Sequence, residues 1–405
     1  LKPFDSEEVA PKKTSHRTSL QPGTMLGRSP KSPKSSGFKS KGMLTLLFLT
    51  VSVFAVFEFR VNALLMVYML LVNGHWEVLK VDTLLPFLDK YLDFELWLNP
   101  KNFVGYEVPE LQAEDFSWDE FMRVSKNRRL VTVVRGLMNN TRASKEFCSK
   151  DWIKAHGDFS LVEILPKKDE YKYDYTYNMV NFSQYIQDIQ SGNRRYSNGL
   201  DEMLLRYPDL VESMELKRLQ NPNGCRAVAM FVNGKGEGLQ WHNANHFNMV
   251  MEYHGKKIWQ LLDSKYSLFT APGMAMDPYA TGFNANSPKS MFDKLPTFEV
   301  ELNPGDVLFN PVWSWHRVRN EADPNTNLVA MGSCRFSEWD KALTTAPALE
   351  LGRSWGHPMW VSSKLPSWVM WIPFFRVLQD GIGIAYDLFP MWGQAGYEVD
   401  CFSSK

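Results

Sequence analysis

The sequence lacks most of the signatures that assign a function directly. Its four cysteines, at positions 148, 225, 334 and 401, form no C-x-x-C pair, so a zinc knuckle is not expected. It contains no Walker loop, dinucleotide fingerprint, nucleophile elbow or internal repeat. The formal net charge is zero, so no overall field attracts nucleic acid, and no nucleic-acid partner is expected.

Charge is nevertheless concentrated at the beginning of the chain. Residues 1–42 carry nine Lys and Arg against three acidic residues and are rich in Ser, Pro, Lys and Gly. A segment of this composition buries too little apolar surface to offset the entropy lost on ordering. We therefore predict a disordered basic tail over residues 1–42.

A long apolar stretch follows the tail. Residues 43–57 read MLTLLFLTVSVFAVF, and after Glu58 and Arg60 the chain is mostly apolar again as far as Val72. About 20 apolar residues span a bilayer core, so residues 43–73 are predicted to form a transmembrane anchor. The alternative is a signal peptide that is cleaved after Val61-Asn62-Ala63.

The basic flank predicts the orientation of this anchor. The positive-inside rule gives a single-pass membrane protein with a cytosolic N-terminus and its large domain in the lumen of the secretory pathway. Two glycosylation sequons, at Asn139 and Asn181, agree with a lumenal domain. One or two disulfides would fit that compartment, although four unpaired thiols are equally consistent with the sequence.

The rest of the chain divides into a linker, a domain and an extension. Residues 74–110 are predicted to be a linker, and residues 111–345 a mainly β domain with flanking helices. Short apolar runs separated by turns are typical of a jelly roll; they lie at residues 227–232, 249–253, 257–262, 297–302, 306–309 and 328–333. Residues 346–405 are predicted to be an aromatic-rich helical extension, which either lies on a membrane or packs on the barrel or in a homodimer.

Two histidines in the β-rich region are candidate metal ligands. His242 and His316 each lie beside a Trp, and imidazole suits Fe, Zn, Cu and Ni. They are about 74 residues apart and would be neighbours only across a barrel. An Asn-Pro-Gly-Asp turn at residues 303–306 begins a strand that Pro311 ends, which leaves His316 just beyond it.

In this context the chain resembles the JmjC and cupin-like family of Fe(II)/2-oxoglutarate oxygenases over about residues 115–339. Family members carry H-x-D, an Asn six residues after that His, G-x-K, and later G-D-x-x-x-x-P-x-x-W-x-H. Here His242 is followed by Asn248 at that spacing, and Gly255-Lys-Lys257 comes next. Residues 305–316 give the later motif, with Ser314 between two Trp residues at the family's Trp position. Residues 116–121 and 131–136 match the family's opening helix and its first core strand.

The resemblance implies a double-stranded β-helix and a role for each motif residue. His242 and His316 would bind Fe(II), and Lys257 would pair with the distal carboxylate of 2-oxoglutarate. Asn248 would hydrogen-bond the co-substrate or orient a ligand. The implied function is a membrane-anchored, hydroxylase-like oxygenase that uses Fe(II), 2-oxoglutarate and O2. Its substrate, whether a protein side chain, a lipid or a small molecule, is left open.

One departure from the family pattern concerns the metal itself. Ala244 stands where the family has its carboxylate ligand, and Leu239 replaces a Thr or Ser that contacts the co-substrate. Three interpretations follow: a third ligand from another source, a radical halogenase, or a catalytically inactive binding or scaffold module. In the halogenase, chloride would take the vacant position and restore the lost charge. The neighbouring groups that could replace the carboxylate are water, Asn243, Asn245 and His246.

Overall fold

The strands of the domain form where short apolar runs alternate with turn residues, as the pattern predicts. The computed structural model describes residues 56–73, 81–166, 175–192, 200–271 and 290–336, apart from 223, 226, 238–240 and 245. These residues belong to one compact unit that starts at Ser52. The predicted basic tail and the aromatic-rich extension lie outside the described residues.

Two sheets and a hairpin contain the strands of the described residues. The larger sheet has the order β1-β2-β10-β7-β12-β5, with β1 parallel to β2 and the other pairs antiparallel. Its strands are β1 (Glu110–Gln112), β2 (Thr132–Arg135), β5 (Ala227–Asn233), β7 (Phe247–His254), β10 (Val307–Asn310) and β12 (Val329–Phe336). The smaller sheet, β6-β11-β8-β9, contains β6 (Gly236–Glu237), β8 (Lys256–Leu262), β9 (Phe298–Leu302) and β11 (Trp315–Glu321). The hairpin is β3 (Ser160–Pro166) with β4 (Tyr175–Asn181).

The two sheets enclose an apolar core. The buried cluster between them takes Val250 and Leu308 from the larger sheet and Trp259, Leu261 and Val300 from the smaller one. Side chains alternate along a strand, so polar residues two positions from these also point between the sheets. This arrangement fits the predicted jelly roll.

Helices pack outside the barrel, and some of them cover the other face of the larger sheet. They are α1 (Phe57–Asn73), α2 (Val81–Leu98), α3 (Trp118–Val124), α4 (Arg142–Glu146), α5 (Lys150–His156), α6 (Phe182–Gln190), α7 (Asp201–Arg206), α8 (Asp209–Ser213) and α9 (Ser290–Asp293). Met249, Met251 and Tyr253 point from β7 into the large apolar cluster that these helices share. The sheet therefore has one face in the barrel and one against helices.

The structure differs from the sequence analysis at the predicted anchor. No helix among the described residues is long and apolar enough to cross a membrane. The described part of the anchor is α1, which packs into the domain through Val61, Leu65 and Tyr68, at the spacing of one helix face. An apolar run indicates burial but does not say whether protein or lipid surrounds it. Residues 43–55 of the prediction lie outside the described residues.

The predicted linker contains a helix. Residues 81–98 form α2, whose Leu85, Leu88 and Leu92 are buried in the same apolar cluster as α1. Arg60 of α1 joins Glu95 of α2 through two hydrogen bonds of 2.7 Å, and Glu95 is completely buried. The leucine spacing is the signal for this helix, and α1 and α2 form one packed pair.

A disulfide and a glycine turn connect strands of the barrel. A disulfide joins Cys225, just before β5, to Cys334 of β12, while Cys148 is a buried free thiol. Cys401 lies outside the described residues. At Gly255, with φ +72°, the chain leaves β7 of the larger sheet and enters β8 of the smaller one. A Cβ there would lie 2.7 Å from the carbonyl oxygen of Leu328, so glycine is required.

Candidate functional site

The two candidate metal ligands lie side by side. His242 and His316 form an antiparallel bridge, in which each backbone N–H donates to the other residue's carbonyl, at 2.9 and 2.8 Å. Their ring centroids are 4.2 Å apart. Residues 74 positions apart in the sequence thus become neighbours across a barrel.

The protein fixes the ring of His316. This ring is 5 % exposed, and its Nδ1 lies 3.0 Å from the Ser314 carbonyl oxygen and 3.2 Å from the Asn310 side-chain amide. An Nδ1–H that donates to the carbonyl leaves Nε2 with a lone pair, and Nε2 makes no hydrogen bond within the described part of the chain. A ring held at one nitrogen and open at the other is the usual arrangement of a metal-ligating histidine.

Burial favours the neutral form of two imidazoles at the site, those of His316 and His246. Burial, and then the nearby His242, lowers the pKa of His316 well below its usual range. Burial, together with the charge of Arg335, lowers the pKa of His246 to about 3. Neutral imidazole is the form that binds a metal, so no proton has to be removed from these rings at neutral pH.

A strained turn at Trp313 precedes His316 and sets its position beside His242. Trp313 is fully buried and has φ +61°, a conformation that bulky residues rarely adopt. Its N–H donates to the Ala244 carbonyl at 2.7 Å, and the indole of Trp315 donates to Ser267 at 2.8 Å. Both Trp residues that flank Ser314 are thus buried and bonded, Trp313 through its backbone and Trp315 through its indole, and together they hold the turn.

The third metal ligand is not apparent. Ala244 has no donor atom in its side chain, and its carbonyl already accepts the Trp313 hydrogen bond. Across the described ranges, no group of three or more His, Cys, Asp or Glu side chains is placed to hold a metal. His246 is near enough to His316 to lower its pKa, but it does not complete such a group. The described donors fit a metal held by two imidazoles and otherwise by water or ligand oxygens.

Asn248 connects to the histidines through its neighbours in the sheet. It lies on the inward face of β7 and is paired in register with Asn310, which contacts His316. Its Oδ1 accepts a 2.6 Å hydrogen bond from Ser333 of β12. Asn248 is therefore fixed at the same end of the barrel as the histidine pair. Asn310 was not foreseen, since its role depends on a register that the sequence does not give.

Lys257 lies deeper in the barrel. It is 3 % exposed on β8, four residues before Leu261, which pairs with His316. At about 3.3 Å per residue, its Cα is about 13 Å along the strand from the level of His316. No hydrogen bond or ion pair joins its ammonium group to any residue that the structure describes. Burial lowers the pKa of Lys257, and the charge of Glu252 partly opposes this.

Glu252 is an inward-facing acid that the sequence analysis missed. It is fully buried on β7, and neither carboxylate oxygen has a hydrogen-bond partner within the described residues. Burial raises the pKa of Glu252 well above its usual range; Lys257 opposes the shift and Asp306 adds to it. The sequence did contain a signal for it: Glu252 lies two positions after Val250 on a buried strand and therefore faces the same side. As a neutral acid, Glu252 can donate a hydrogen bond and does not repel an anion beside Lys257.

The groups that a cofactor would need are therefore partly present. A buried ammonium without a hydrogen bond among the described residues fits the carboxylate of a dicarboxylic acid, and two adjacent imidazoles fit a divalent metal. Trp259 lies between these two places on the same face of β8, with its ring centroid 5.2 Å from that of His316. A ligand that reaches from the histidines to Lys257 must pass this ring.

Comparison with known proteins agrees with this arrangement. The model of the family described as the cupin-like domain matches residues 117–331, slightly more than half of the chain. The matched region includes His242, Lys257 and His316. No curated protein matches the chain at a significant level.

We predict that Lys257→Met stabilises the ligand-free protein at neutral pH by about 1–3 kcal/mol, because it removes a buried ammonium that has no hydrogen bond. The native pKa of Lys257 is lowered, so the unfolded chain binds more protons between that pKa and 10.5. The stability of the natural protein therefore rises with pH in this window, and the advantage of Met shrinks. Urea unfolding at about pH 7 and about pH 9.5 measures both effects.

The matched control is Lys256→Met, which changes the adjacent lysine. Lys256 pairs with Glu301 at 2.7 Å on the outer face of β8, so its replacement should change stability little and equally at both pH values. If Lys257→Met were less stable than the natural protein at neutral pH, the ammonium would be a stabilising part of the fold and not an unpaired group.

Proposed function

Because the chain belongs to the cupin-like domain family, of the JmjC type, we propose that it is a hydroxylase-like Fe(II)/2-oxoglutarate oxygenase. This family includes 2-oxoglutarate-dependent oxygenases. The observation that carries the proposal is the pair of adjacent imidazoles, with ring centroids 4.2 Å apart, that the backbone bridge between His242 and His316 holds together. In the proposal, His242 and His316 hold the metal, and Lys257 pairs with the far carboxylate of the co-substrate.

The residues of the chain prepare this site in specific ways. The Ser314 carbonyl, which accepts the Nδ1–H hydrogen bond, sets the orientation of His316 before any metal arrives, so little ordering entropy remains to be lost on binding. Neutral Glu252 lets Lys257 carry a charge that faces the ligand and not another side chain. Asn248, fixed by Ser333, offers its amide N–H to the co-substrate end that is nearest the metal. Bound iron and 2-oxoglutarate, with O2, supply the oxidising power that removes a hydrogen atom from a substrate.

A catalytically inactive binding module is the second candidate. It is favoured by Ala244 and by the donor set, which offers two imidazoles and no carboxylate in the described residues. The halogenase interpretation rests on Ala244 alone, and the surrounding contacts add nothing that favours it over hydroxylation. Oxygenase and binding module differ in whether iron and 2-oxoglutarate bind together.

We also propose a lumenal location for the domain. The disulfide between Cys225 and Cys334 supports an oxidising compartment, because such bonds persist mainly outside the cytosol. The sequon residues Asn139 and Asn181 are both exposed, as glycan acceptors must be. Membrane anchoring through residues 43–73 remains a proposal from the sequence.

The oxygenase proposal predicts a visible charge-transfer band when Fe(II) and 2-oxoglutarate are added together without oxygen. His242→Ala and His316→Ala should abolish the band, and Lys257→Met should raise the 2-oxoglutarate concentration needed for it. The controls are Lys256→Met and His254→Gln, which change residues outside the barrel end and should leave the band unchanged. When oxygen is admitted, the natural protein and the two control variants should form succinate, the two histidine variants should not, and Lys257→Met should need more 2-oxoglutarate.

A folded protein without a band, and without succinate, would contradict the oxygenase proposal and support the binding module. A band that survives in both histidine variants would show that the iron is held elsewhere. Chloride should leave the band unchanged under the hydroxylase proposal, whereas a chloride-dependent shift would indicate the halogenase.

The alanine gives a separate prediction. Ala244→Asp restores a carboxylate two residues after His242 and should tighten iron binding by about tenfold or more, since even outer-shell groups change metal affinity about 10- to 100-fold. Ala244→Asn is the control, because it adds an amide oxygen without charge and should give a smaller gain. Equal affinity of Ala244→Asp and the natural protein, measured by anaerobic titration, would show that residue 244 does not face the metal.

A further inference from the structure

The outer face of α2 carries large apolar side chains that are exposed to solvent. Phe87 is 78 % exposed, Trp97 76 %, Phe94 48 % and Leu98 46 %. Their positions, at intervals of seven, three and one residue, place them along one side of the helix. We call these four residues the outer stripe.

The outer stripe lies opposite the buried face of the same helix. Leu85, Leu88 and Leu92 pack into the domain core, so α2 is apolar on both sides. A helix that is apolar all round is normally surrounded by protein or lipid on both faces. Among the described residues, the domain packs on one face of α2.

The stripe is held outward by strong contacts. Glu95, on the buried face, accepts two 2.7 Å hydrogen bonds from Arg60 of α1 and one of 2.9 Å from Asn99. Rotation of α2 to bury the stripe would break these bonds and leave a carboxylate unpaired in the core, which is costly. The exposure of Phe94 and Trp97 is therefore a stable feature of the fold.

Exposed apolar residues are concentrated in this part of the molecule. Eight of the ten large hydrophobic residues that are exposed in the described ranges lie within residues 56–104, and the other two are Met179 and Leu205. Scattered single residues need no explanation, but a contiguous apolar patch indicates an interaction surface. Phe94 and Trp97 are in contact, with ring centroids 6.1 Å apart.

Three observations identify the partner as a lipid bilayer. Phe and Trp are the residues that favour the zone between headgroups and acyl chains. Lys90, exposed on the same side of α2, suits phosphate headgroups, and the nearby Asp93 is paired with Lys294 at 2.7 Å. In the sequence, the apolar run of residues 43–55 leads directly into α1, the helix to which α2 is bonded.

We propose that the outer stripe of α2 rests in the interfacial zone of a membrane, with the helix parallel to its surface. This contact would hold the domain in one orientation against the bilayer, which a single flexible attachment would not do. The proposal does not depend on the chemistry of the barrel.

A fluorophore on α2 tests the contact. In the full chain with Cys401→Ser, Phe94→Cys is labelled with an environment-sensitive dye, while Cys148 stays buried and unlabelled. Leu205→Cys is the matched control, because Leu205 is exposed to the same degree as Phe94, 49 % against 48 %, but lies on α7. Lys90→Cys repeats the measurement on the same side of α2 without the loss of an apolar side chain.

With phosphatidylcholine vesicles, the dye at positions 94 and 90 should shift to shorter wavelength, and the dye at 205 should not. Lipids brominated near the headgroup end of the acyl chain should remove most of the emission, and lipids brominated near the chain end much less, since interfacial helices lie about 5–10 Å deep. Equal, unquenched emission at 94 and 205 in vesicle-bound protein would overturn the proposal. A short-wavelength emission of the dye at position 94 in the absence of vesicles would also overturn the proposal. If dilution of the protein removes this emission shift, a second copy covers the outer stripe; if the shift persists at every dilution, another segment of the chain covers it.

Discussion

The two backbone hydrogen bonds between His242 and His316 are the constraint on which the candidate site depends. They join His242, which lies between β6 and β7, to the start of β11 and bring the two imidazole ring centroids to 4.2 Å from each other. The Trp313 turn, the Ser314 carbonyl and Asn310 all act on the same ring. Strain in a left-handed tryptophan persists only where the surroundings hold it, and here burial of Trp313 and its hydrogen bond to the Ala244 carbonyl hold it.

A second constraint is the pair of ionisable groups inside the barrel. Burial shifts the pKa of Lys257 down and that of Glu252 up, so both are driven toward their neutral forms. Neither group has a hydrogen bond among the described residues, and the fold gains nothing evident from either. An anion placed beside Lys257 would favour the charged form of this lysine. Ligand binding would then explain why a residue that lowers the stability of the fold is present in the barrel.

Much of this site could be predicted from the sequence, because strand periodicity and motif spacing depend on the chain alone. The structure brings His242 and His316 together and places Asn248 and Lys257 on inward faces; the resemblance to the family had singled out these four residues. Glu252 and Trp259 were missed, since their importance comes from the opposite sheet. The described part of the predicted anchor, α1, packs into the domain; hydrophobicity measures aversion to water and does not distinguish a protein core from lipid. The predicted linker contains α2, whose leucine spacing was the signal for a helix. The exposed apolar residues of the outer stripe raise the same question of protein or lipid in the folded molecule.

X-ray absorption of the iron-loaded protein, recorded without oxygen, tests the central claim most directly. If His242 and His316 hold the metal, the outer-shell scattering will report two imidazoles per iron in the natural protein and one in His316→Ala. Two imidazoles with no short carboxylate oxygen from the chain would fit a site in which Ala244 replaces the usual ligand. A spectrum without imidazole scattering, or one that His316→Ala leaves unchanged, would contradict the account.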